Sequence, residues 1–158
     1  MNIILEKDFF NRDTKIVAQE LLGKFLVRQI GKNKIEVMIT ETEAYDGFND
    51  KASHASKGKT KRTKVMFGHP GNFYVYLCYG MYYMLNIVTR EHGYPAAVLI
   101  RGAKFNHQNK NTILTKLPAV SFVRIVFDGP GKITKFLKIG RSLNNKKSST
   151  VTGRWIED

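Results

Sequence analysis

Ile35-Glu36-Val37-Met38-Ile39-Thr40-Glu41-Thr42-Glu43-Ala44-Tyr45 places large apolar residues at every second position until carboxylates take over the same phase. A period of two marks a strand with one buried face. Upstream, Lys24 to Ile30 has strand composition, and Gly31-Lys32-Asn33-Lys34 between the two supplies turn residues. The region is therefore predicted to be an antiparallel hairpin. If the alternation is unbroken, Val37, Ile39, Glu41, Glu43 and Tyr45 share one face, so two carboxylates and a phenol ring line one patch.

Working toward the N-terminus, Asn11 or Asp13 can cap a helix that runs to about Leu22, with Ile16, Val17, Leu21 and Leu22 as its apolar stripe and Gly23 as its stop. In the other direction, Asp46 to Thr63 holds little that is large and apolar and reads as a loop. Phe73 to Met81 and Tyr82 to Thr89 are aromatic and β-branched and read as strands. Glu91 to Pro95 turns the chain into a further strand, Ala96 to Arg101. A polar linker from Gly102 to Lys116, a strand from Ser121 to Phe127 and a helix from Gly129-Pro130-Gly131 to about Gly140 follow. The tail from Ser142 is polar until Trp155. This order of elements predicts one α+β domain over residues 1–158, built on an antiparallel sheet.

The charge narrows the partners. The 158 residues carry a formal charge of +13, and between Asp50 and Asp128 the one acidic residue is Glu91. So wide a basic field suits a polyanion better than a small acidic metabolite. No apolar run is long enough to cross a bilayer and no signal-peptide pattern precedes Ile30, so a cytoplasmic protein without membrane attachment is expected, nucleoid-associated if bacterial; it is also expected to be a monomer. Cys78 stands alone and no Cys/His cluster has metal spacing, so neither disulfide nor metal is expected.

Three constellations can carry chemistry. A carboxylate beside a flat aromatic surface can orient water for cleavage of a glycosidic bond, although Glu41 or Glu43 can equally pair with a nearby base, and spacing does not choose. Phe73 to Tyr83 contains five of the seven tyrosines. Such rings either fill a half-buried sheet or stack on nucleobases, and Tyr79, before Gly80, is the best placed to wedge into a duplex. Lys57, Lys59, Lys61, Arg62 and Lys64 read as a phosphate-binding loop or as a solvated charge run, and Lys132 at a helix start is a weaker version of the phosphate signal. His54 lacks a partner at metal spacing.

Glu41-Thr42-Glu43-Ala44-Tyr45, Ala52-Ser53-His54, Met66-Phe67, Tyr74-Val75-Tyr76, Tyr79-Gly80-Met81-Tyr82, Asn86 and Leu99-Ile100-Arg101, in that order, resemble the alkyladenine (3-methyladenine) DNA glycosylases. The likeness runs from the N-terminal helix through Gly129-Pro130-Gly131-Lys132 and Arg141-Ser142-Leu143-Asn144 to Trp155-Ile156-Glu157-Asp158. It implies a curved antiparallel sheet with flanking helices. It also implies an enzyme of base excision repair that flips a damaged purine out of double-stranded DNA and hydrolyses its N-glycosidic bond without a metal or cofactor. By motif position, Glu43 would activate the water, Arg101 would help to hold that water or a phosphate, and Glu41 would be supporting structure. Tyr45, His54 and Tyr76 would sandwich the base while the backbone at Ala52 and His54 reads its edge. Asn86 would crowd the amine of normal guanine. Tyr79 would fill the gap in the stack, supported by Met81 and Tyr82. Asn49 and Lys51 stand where acidic residues are common in the family. The family usually continues beyond Asp158 through residues that close the pocket, so the alternative reading is a catalytically weakened damaged-DNA-binding module.

Overall fold

The computed structural model describes residues 3–107 and 123–158. Helices α1 (Lys7–Phe10), α2 (Thr14–Glu20) and α3 (Pro130–Phe136) accompany strands β1 (Phe25–Ile30), β2 (Asn33–Asp46), β3 (Phe73–Cys78), β4 (Tyr82–Val88), β5 (Ala96–His107), β6 (Val123–Phe127) and β7 (Arg154–Glu157). The sheet is antiparallel and curled, in the order β3-β4-β5-β2-β1-β7, with β6 also paired to β5. Its two ends are drawn together by the segment 145–149, where Lys147 bridges Asn72 and Ser149 bridges Arg154. The expected α+β architecture is thus present, and among the described residues no helix is long and apolar enough to cross a membrane.

Asp13 caps α2 by accepting hydrogen bonds from the amides of Lys15 and Ile16, as the sequence predicts. The buried stripe differs from expectation: Val17, Ala18 and Leu21 face inward, whereas Ile16 and Leu22 are each 47% exposed. The β1–β2 hairpin forms with Ile30 opposite Asn33. β5 continues through His107, so the first residues of the supposed linker are strand, extended by pairing with β6. The remainder of that linker, and Ser121 and Phe122 of the next predicted strand, lie outside the described residues. α3 ends early because Lys138 turns left-handed at φ 46°. The polar tail contains a 3-10 turn at Arg141–Leu143 and then β7, whose Ile156 pairs with Leu26 of β1.

The sheet separates two apolar clusters. Val75, Ile87 and Val98 belong to the main core with Phe10, Leu21 and Leu137. Their alternation partners Tyr74, Val88 and Ala97 belong to a smaller cluster with Ala55, Val65, Met66 and Phe67, against which Tyr45 and Tyr76 pack. The predicted loop 46–63 covers this second face and contains a 3-10 turn, His54–Lys57, capped by the Ser53 hydroxyl. Gly47 starts the loop at φ 82°, and a Cβ there would lie 2.1 Å from the Tyr94 hydroxyl, so glycine is required both sterically and conformationally.

Candidate active site

The β2 alternation breaks where it matters for chemistry. Ile39 pairs with Ala103, Glu41 with Gly102 and Thr42 with Ile100, so Thr40 on β2 and Arg101 on β5 are extra residues in an irregular ladder. Val37 and Ile39 are buried in the main core, and after the bulge that side is taken by Thr42, whose hydroxyl bonds the Ala18 carbonyl, and by Ala44. Glu41, Glu43 and Tyr45 are thereby turned to the opposite face. The expectation that all five residues share a face is corrected: the carboxylates leave the core because of the extra residue. Gly102 permits the close approach, since a Cβ there would meet the Cβ of Glu41 at 2.9 Å.

On that face Glu43 is held from both sides. Its Oε1 lies 3.0 Å from Nε of Arg101, which also reaches Oε1 of Glu41 at 3.1 Å. Its Oε2 accepts the Tyr45 hydroxyl proton at 2.5 Å. The Glu43 side chain keeps 37% of its exposure, so the ion pair does not seal it from solvent. Each carboxylate oxygen has two lone-pair positions, and each spends one on a protein donor. Burial, then the bond to Glu43, raises the Tyr45 pKa well above the ordinary phenol value, keeping that ring a donor.

Register carries the geometry across the sheet: Glu43 pairs with Leu99, Leu99 with Asn86 and Asn86 with Tyr74. These four form one row on the same face. Beside it opens a slot lined by Tyr45, Ala52, His54, Met66, Tyr74, Tyr76 and Asn86, with a volume of about 40 Å³, room for a few waters rather than a purine. His54 and Tyr76 meet edge to face at 4.8 Å, and Tyr76 packs on Tyr74 at 5.2 Å. No base fits between His54 and Tyr76, which make one wall with Tyr45 as a separate lining ring. Asn86 is 1% exposed and donates Nδ2–H to the Tyr74 carbonyl, which fixes its amide at the slot. The Ala52 amide is already taken by the Asp50 carboxylate at 3.0 Å.

His54 is exposed as a residue, but its ring edge is desolvated against Tyr76. This desolvation, then the Arg62 charge, holds its pKa below the ordinary histidine value. Burial and then Tyr74 push Tyr76 up to about 12, so both wall rings are neutral near pH 7. The motif assigns Tyr74 and Met66 no role; both are buried and line the slot. Arg62 differs more. Its guanidinium lies over the Tyr76 ring at 4.6 Å, braced on the aromatic wall rather than extended as a loop cation. Strand alternation could not place it, because it comes from the loop.

The other predicted contact residues lie on the surface. Lys57, Lys59, Lys61 and Lys64 are exposed around a turn fixed by reciprocal bonds between Thr60 and Thr63. At the β3–β4 tip Tyr79 is 90% exposed, Met81 68% and Tyr82 48%. Tyr82 packs against Gly131, where a Cβ would come within 2.8 Å of the ring. Lys132, also exposed, pairs with Asp128.

A profile of the methylpurine-DNA glycosylase family matches residues 8–158. A protein from Methanocella arvoryzae is 46% identical over 155 residues, covering 98% of this chain and 77% of that protein. One from Ehrlichia chaffeensis is 48% identical over 143 residues, 90% of this chain and 70% of that protein. One from Rickettsia felis is 48% identical over 142 residues, again 90% and 70%. All three bear the name "Putative 3-methyladenine DNA glycosylase".

Proposed function

Because the chain belongs to the methylpurine-DNA glycosylase family, we propose that it everts an alkylated purine, such as 3-methyladenine, from duplex DNA and hydrolyses its N-glycosidic bond. The observation that carries this reading is a carboxylate held between Arg101 and Tyr45, with a lone pair left on each oxygen, at the rim of an aromatic slot. The base enters between Tyr45 and the His54–Tyr76 wall, which must move apart to admit it. Water held by Glu43 adds to the sugar carbon while the C–N electron pair leaves with the base, and Glu43 accepts the water proton. A cationic alkylated purine departs neutral and needs no acid. It also stacks well on electron-rich rings. Tyr79, Met81 and Tyr82 enter the duplex, and Lys57, Lys59, Lys61, Lys64 and Lys132 meet its phosphates. Arg62 backs the pocket wall, Asn86 limits the room for an exocyclic amine and the Ala52 carbonyl faces the base edge. A DNA duplex with one methylated purine, incubated with excess protein and scored for abasic sites, tests the assignment. No release above the uncatalysed rate would overturn it.

Tyr45→Phe keeps the ring and removes the hydroxyl that steadies Glu43. Base release should slow roughly tenfold, as loss of a hydrogen bond to a charged group implies, with lesion affinity preserved. An unchanged rate would show that the carboxylate does not depend on Tyr45.

The pH dependence follows from His54. Its folded pKa lies below the ordinary value of 6.5, so its neutral ring persists above that pH and is lost as pH falls through the lowered pKa. Affinity for a permanently cationic methylpurine should be flat at neutral pH and weaken in acid, where His54 becomes a like charge. A His54→Gln variant that retains the acid decline would refute this origin.

A further inference from the structure

On the neighbouring strands β1 and β7, Arg28 and Arg154 stand directly opposite each other. Alternation fixes their side of the sheet: Leu26 and Ile156, two residues away on each strand, belong to the main core, as does Ile35, the partner of Arg28 on β2. Both arginines therefore project from the core-lining face, past the last apolar side chains. Their Nε atoms are closed to solvent and have no hydrogen-bond partner among the described residues. The Arg154 Nη1 contact to the Gly153 carbonyl is long, at 3.4 Å.

This arrangement is unfavourable by itself. Like charges opposite each other on paired strands repel, and a buried cationic donor without an acceptor bears its full desolvation penalty. Burial lowers the pKa of both guanidinium groups, and Arg28 adds to the effect at Arg154. Among the described residues no carboxylate pairs with either arginine. Glu157, three residues along β7, faces the other side of the sheet and is engaged by Lys34 at 2.5 Å and by the Trp155 indole at 2.7 Å. The segment 108–122 contains no acidic residue.

Arg154 also lines a groove of about 400 Å³ together with Lys138 and Lys146, over an apolar floor of Ile139 and Leu143, and among the described residues no acidic side chain lines it. It is distinct from the slot, with which it shares no lining residue. A guanidinium fork flanked by ammonium groups matches a multiply charged tetrahedral oxyanion better than a single carboxylate. We propose that this groove binds a phosphate group, contacted by Arg154 from the sheet and by Lys138 and Lys146 from the rim, with Arg28 behind Arg154 adding positive charge. The phosphate belongs either to a nucleic-acid backbone or to a free phosphate compound.

Thermal unfolding of the full chain in inorganic phosphate, against sodium chloride at equal ionic strength, tests the site. Phosphate should raise the melting temperature saturably for the native sequence, and the rise should largely vanish in Arg154→Met and in the surface double variant Lys138→Gln/Lys146→Gln. Without phosphate, Arg154→Met should be no less stable than the parent, because it removes a repulsion. Equal stabilisation by phosphate and chloride, or an undiminished phosphate effect in the double variant, would overturn the proposal. The source of the phosphate follows from undamaged duplex DNA. If Arg154→Met lowers the slope of log affinity against log salt by about 0.9, the ligand is one DNA backbone phosphate. If the phosphate effect is lost while that slope is unchanged, the site serves a free phosphate compound.

Discussion

Replacing Glu43 with Gln should slow single-turnover release of a methylated purine by roughly 10²–10⁴-fold, the usual contribution of a positioned acid or base, while lesion binding changes little. Glutamine keeps the shape of the side chain. Its amide oxygen can keep the Arg101 contact while its NH2 donates to the Tyr45 hydroxyl oxygen, and Arg101 retains Glu41 as a counter-ion at 3.1 Å. The substitution therefore removes the charge and proton affinity of Glu43 with little call for the pocket to rearrange. Equal release by both proteins would exclude Glu43 as the group that directs water. Tight lesion binding by both, with release by neither, would instead select the weakened damage-binding module.

The parts of this site that follow strand rules were legible in the sequence, and the parts set by irregularity or by a loop were not. Alternation and turn residues located the β1–β2 hairpin, and the order of motif residues located the Tyr45, His54, Tyr76 and Asn86 constellation that lines the slot. Alternation also put Glu43 on the same face as Val37 and Ile39, which is wrong. One extra residue at Thr40 moves the carboxylates from core to solvent without altering composition. Gly102 carried a trace of this, as the position where the backbone of β5 crowds Glu41, but a lone glycine in a polar stretch reads as loop. β7 was missed because four residues give too short a pattern, and its stability comes from pairing with β1 more than 120 residues earlier. The stacking of Arg62 on Tyr76 depends on how loop 46–63 folds over the sheet, which local spacing does not encode.

Tyr79→Asn should make the protein more stable and a worse binder of lesions. Tyr79 and Gly80 are both left-handed, at φ 50° and 68°, in a turn closed by the Met81 amide on the Cys78 carbonyl. Two successive positive φ values are what the central residues of a type I′ turn require, and Asn-Gly is the preferred pair at such positions. A tyrosine there bears a left-handed backbone that costs about 1–2 kcal/mol, and at 90% exposure it recovers little of that through burial. Aspects of the site explain the choice: a ring at a hairpin tip, flanked by exposed Met81 and Tyr82, can occupy the space an everted nucleotide leaves. Stacking of that kind is worth about 1–3 kcal/mol per base, so its loss should weaken discrimination between lesion and undamaged duplex by roughly 5- to 150-fold. Thermal unfolding and competitive binding on one preparation read both effects. A variant that is more stable with unchanged lesion preference would remove Tyr79 from the DNA contact. A variant that loses both stability and lesion preference would identify the ring as part of the fold.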